Sequence, residues 1–154
     1  MKRIFFSLML LLCVGSVFGQ NADELIKRWK AHSSMSYEDV TDKVKKDCKE
    51  KLNNTTCIVK KGQVLRGVVS ETECQQLQKD LNDLKGFKCV YHMKNNDDFE
   101  FFRNVQYYAI EDGEYIKDFV GRIDLNTEEE NAIAVIRLQG KMKLEDVIKI
   151  INLK

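Results

Sequence analysis

The run Ala132-Ile-Ala-Val-Ile-Arg-Leu138 constrains the fold more than any other stretch of this chain. Strand side chains alternate between faces, and here apolar residues occupy both alternations. Such a strand belongs inside a sheet rather than at its edge. A second strong signal precedes it. Two apolar, alternating runs, about Phe99 to Ile110 and Tyr115 to Ile123, flank Glu111-Asp-Gly-Glu114. Asp-Gly suits the left-handed dihedrals of a tight hairpin turn. Upstream, Phe87, Cys89, Tyr91 and Met93 alternate with Lys88, Val90 and His92, which predicts one more strand with the first set on its apolar side.

Helical patterns fill most of the remainder. Ser70-Glu-Thr-Glu73 is a capping box ahead of Cys74, Leu77, Leu81 and Leu84, predicting a helix over about 71–84 that closes at Gly86. Asn21 opens a shorter helix to about Ala31, carrying Leu25, Ile26 and Trp29. Tyr37, Val40, Val44, Cys48 and Leu52 recur at helical spacing and predict a helix capped by Ser36. Cys57 to Val59 and Val64 to Val69 read as a strand pair turning at Lys61-Gly62. Leu144, Val147, Ile148 and Ile151 mark a terminal amphipathic helix. The sum is an α+β domain: a mostly antiparallel sheet of about five strands with helices packed on one face, in two layers.

The first residues have a different purpose. Met1-Lys-Arg3, an apolar run from Ile4 to Val14 and the exit Gly15-Ser-Val-Phe-Gly19 are the parts of a secretory signal peptide, with cleavage expected between Gly19 and Gln20. The apolar run is too short for a spanning helix, which needs roughly 20 residues. Residues 20–154 are then one domain, expected outside the cytoplasm with no membrane span. The chain holds 25 basic and 24 acidic residues, so its net charge points neither to nucleic acid nor to a membrane surface.

Four cysteines remain after the leader: Cys48, Cys57, Cys74 and Cys89. An oxidising compartment allows two disulfides in three connectivities. Cys48–Cys57 and Cys74–Cys89 are favoured, because each joins a helix residue to a strand residue that soon follows. No C-x-x-C spacing supports dithiol chemistry or a zinc site. His92 and Cys89 are three apart on a strand, which directs them to opposite faces and argues against a catalytic pair.

The segment from about Val64 to Leu153 resembles a family of small secreted Bacteroidetes proteins classed as a domain of unknown function. The helix before Gly86-Phe87, the hairpin strands, and the close Ala132-Ile-Ala-Val-Ile-Arg-Leu-Gln-Gly140 with Leu144-Glu-Asp-Val147 carry the likeness. It implies a Gram-negative envelope address, periplasmic or secreted, and no activity.

No catalytic residue, metal or cofactor is indicated. Eleven acidic residues against three basic ones lie between Asp97 and Glu130, but the spacing from Asp124 to Glu130 lacks the central glycine and distal glutamate of a calcium loop. The lysine-rich stretch from Lys43 to Lys61 reads as a solvated helix flank. Aromatic residues crowd the central hairpin, and Phe99, Phe101, Tyr107, Tyr108 and Tyr115 are the candidate binding residues. The expectation is a non-catalytic envelope protein that binds a protein or glycan partner through its sheet. The alternative is a small hydrolase using the acids of the hairpin turns.

Overall fold

A computed structural model describes residues 21–52, 57–94 and 101–152. The expected leader, its expected Gly19/Gln20 cleavage position and Phe99 lie outside the described residues.

Helix α1 (Ala22–Lys30) starts where Asn21 accepts a hydrogen bond from the Glu24 backbone N–H at 2.9 Å. Acids in its first turn and bases in its last complement the helix dipole. Strand β1 (Met35–Asp39) follows, and then helix α2 (Thr41–Lys51). The expected helix from Tyr37 therefore begins four residues late. Its first residues pair instead with strand β2 (Ile58–Val68), Met35 opposite Gly67 and Asp39 opposite Gln63. Long-range pairing overrides a periodicity that Tyr37, Val40 and Val44 satisfy equally well in either form. The Asp39 carboxylate caps the new start by accepting from Thr41 N–H at 2.9 Å.

Strand β2 is one continuous strand rather than a pair turning at Lys61-Gly62. A bulge at Lys60 absorbs the irregularity. Gly62 stays in the ladder opposite Leu138, where a Cβ would lie 3.3 Å from the Val40 side chain. The small residue lets α2 approach the sheet, and Val40 N–H donates to Gly62 O at 2.9 Å.

Helix α3 (Glu71–Asn82) carries the complete Ser70/Glu73 capping box. Gly86 follows with φ +80°, and Gly113 turns the central hairpin with φ +63°. The remaining elements are β3 (Lys88–Lys94), β4 (Phe102–Asp112), β5 (Tyr115–Leu125), β6 (Ala132–Met142) and α4 (Leu144–Asn152). Among the described residues no helix is long and apolar enough to cross a membrane.

The sheet is antiparallel and six-stranded, in the order β1-β2-β6-β5-β4-β3. The α+β class holds and β6 is interior, but the sheet has one strand more than expected and helices cover both faces. Val40, Val44, Val147 and Ile151 from α2 and α4 pack with Val64, Phe119 and Leu138 on one face. Leu25, Trp29, Leu77 and Leu81 from α1 and α3 pack with Leu65, Val120 and Val135 on the other. Consecutive apolar residues such as Val64-Leu65 and Phe119-Val120 need cover on both sides, so three layers replace the expected two.

Candidate polar cleft beside helix α3

The central strands β2, β6 and β5 lie under helices, whereas the outer strands β4 and β3 extend past α3. The residues exposed there are polar and stand in register. His92 on β3 opposes Gln106 on β4, which opposes Arg122 on β5. Next to this row, Lys94 opposes Asn104, which opposes Asp124. Directly opposed residues in an antiparallel ladder share a face, so the six side chains form two parallel polar rows. Cys74, Gln75 and Gln78 of α3 wall them in, and Arg103 stands at the opening, enclosing a cleft of about 350 Å³.

Arg122 organises the floor. Only 4% exposed, it grips Asp124 at two points, 2.8 and 3.2 Å, and donates to Gln78 Oε1 at 3.0 Å and toward the Cys74 sulfur at 3.0 Å. Burial opposes its charge, but the hydrogen bonds and charge of Asp124 outweigh that and hold its pKa above the usual arginine value. At the inner end, the Tyr108 hydroxyl accepts from Gln78 Nε2 at 2.9 Å and donates toward Gln106 Oε1 at 3.0 Å. Asn104 points its amide NH₂ toward Asp124 at 3.5 Å, which leaves its Oδ1 buried with no hydrogen-bond partner. Lys94, Arg103 and His92 are exposed, and nothing among the described residues pairs with them. The Arg122 charge is offset by Asp124, and Lys94 and Arg103 are the charged groups left at the opening among the described residues.

The aromatic residues expected to bind are not gathered on one surface. Tyr107 and Tyr108 are 4% and 7% exposed and face opposite sides of the sheet. They are core residues. Tyr107 stacks on Tyr91 at 5.3 Å and meets Phe119 edge-on at 5.1 Å, and burial pushes its hydroxyl up to about 12. Tyr115 is half-buried beneath Lys141, 4.5 Å from its ring centre. Of the described candidates only Phe101, 75% exposed, projects into solvent. Around Tyr107 and Tyr108 the sheet is covered on both faces, so alternation there fills two cores instead of a platform.

Asp97 and Asp98 lie outside the described residues, and the described turn acids do not converge. Glu111 is taken up by Lys88 at 2.7 Å and Glu114 faces Lys143 at 4.0 Å, all away from the cleft. Asp124 is bound to Arg122. Among the described residues no group of three or more His, Cys, Asp or Glu is placed to hold a metal ion.

The cysteines separate into a pair and two single thiols. Cys48 and Cys57 bring their sulfurs to 3.6 Å without a bond. Burial pushes the Cys48 thiol up, and burial together with the Cys48 contact pushes Cys57 up to about 12. Cys74 sits against Arg122, and Cys89 is exposed, donating toward Tyr91 O at 3.5 Å. No hydrogen bond joins Cys74 to Cys89.

A bulge in β3 explains why Cys89 is not on an apolar side. Cys89 opposes Tyr108 and Tyr91 opposes Tyr107, so Val90 is an extra residue. The strand switches faces there: Tyr91 and Met93 look toward α2 and α4, while Cys89 and His92 share the α3 side. The opposite-face expectation for Cys89 and His92 fails for this reason. His32 stacks on Trp29 at 4.4 Å and reaches Glu73 at 3.2 Å.

Comparison with protein-family models, curated proteins and solved structures finds no match to this chain.

Proposed function

We propose that this chain is an exported, non-catalytic protein of the cell envelope that binds a protein or glycan partner through its sheet, with the cleft beside α3 as the point of contact. One observation carries the reading: two cross-strand rows of polar side chains, in register and left open by the helix layer. A sheet that buries its apolar residues on both faces elsewhere has a polar floor here, beside Lys94 and Arg103, which have no partners among the described residues. Of the turn acids that hydrolysis would draw on, Glu111 and Glu114 face Lys88 and Lys143 instead.

The address rests on the leader and its small-residue exit before Gln20. Membership of the secreted Bacteroidetes family of unknown function rests on the two-sided strand β6, Gly140 and the terminal helix α4. An exported Cys48–Cys57 disulfide is the expected product of two thiols held this near each other.

Cell fractionation with N-terminal sequencing tests the address: the mature chain starts at Gln20 and stays out of the cytosolic fraction. Binding is tested by retention of the mature protein on washed envelope material. The Lys94→Glu/Arg103→Glu variant, folded by circular dichroism, loses that retention. Equal retention of the variant rules the cleft out as the contact.

A further inference from the structure

We draw no further inference here: the strongest candidate, the apolar cavity of about 170 Å³ between the sheet and the C-terminal end of α4, lined by Val64, Ile123, Leu125, Ala134, Ile136 and Ile151, carries nothing, because nothing in the structure shows what covers it.

Discussion

Arg137 on β6 and Asp118 on β5 form a two-point ion pair beneath α1, with bonds of 3.2 and 3.0 Å. Both are enclosed, at 3% and 9% exposure. The same guanidinium binds Asp23 on α1 and approaches Gln63 on β2 at 3.4 Å, so one cation joins three strands to the helix above them. Its hydrogen bond, and then its charge, hold the Asp23 carboxyl below the usual range. Removing the cation would leave Asp118 charged and unpaired in the core. Arg137→Met is therefore expected to cost about 3–5 kcal/mol in urea unfolding. Arg137→Met/Asp118→Leu should recover much of that loss. A double variant as unstable as the single one would show that the pair is not coupled.

Glu73 links the start of α3 to the residues after α1. Its carboxylate accepts from the Ser34 hydroxyl at 2.7 Å and the Ser70 backbone N–H at 3.1 Å, and lies 3.2 Å from His32. These contacts, the Ser34 hydroxyl foremost, lower its pKa from 4.5 to about 2. A carboxylate depressed in the folded state stabilises fully above its unfolded pKa, and that contribution is lost as pH falls through the folded value. The native chain should lose stability between about pH 4.5 and 2 more steeply than Glu73→Gln. Urea midpoints measured across that window check this; parallel curves for the two proteins would refute it.

Local signals were legible in the sequence, and longer-range ones were not. The capping box of α3, the Asp112-Gly113 turn and the two-sided strand β6 are each written within a few neighbouring residues. Tyr37 was ambiguous because its strand partner, Leu65, is distant in the chain. Val90 in β3 and Lys60 in β2 were opaque because a bulge forms only against a partner strand. Without the first, Cys89 and His92 take the wrong faces. The cleft left one trace in the sequence: His92 and Lys94, Asn104 and Gln106, and Arg122 and Asp124 are polar at every second position within otherwise apolar strands. The aromatic residues between them form no common surface, since Tyr107 and Tyr108 are core and Phe101 projects into solvent.

Cys48 ends the apolar stripe of α2, and Cys57 stands just before β2, with the sulfurs 3.6 Å apart. Oxidation would join them with little movement of either element. If the chain is exported as proposed, it should contain this bridge in a non-reducing peptide map, with Cys74 and Cys89 open to alkylation. Closing a loop of about ten residues is worth roughly 2–3 kcal/mol in the chain-entropy model, so the reduced protein should melt at correspondingly lower denaturant. Before oxidation the raised thiol pKa values predict slow alkylation of Cys57 at neutral pH. Rapid labelling of Cys57 in the folded, reduced chain would contradict the buried geometry.

Gly140 tests the β2–β6 seam, on which both cores depend. It opposes Val59 beside the Lys60 bulge, and a Cβ there would stand 1.9 Å from the Ile58 carbonyl oxygen and 2.9 Å from its carbon. Those atoms are backbone, so no rotamer change relieves the clash and the strands themselves must separate. Gly140→Ala should cost about 2 kcal/mol or more. Gly113 provides the contrast, since a Cβ at that turn meets nothing within 4 Å. Its φ of +63° is a conformation asparagine adopts readily, so Gly113→Asn should change stability by about 0.5 kcal/mol or less. If both variants unfold at the same denaturant concentration, backbone crowding at the bulge is not what reserves position 140 for glycine.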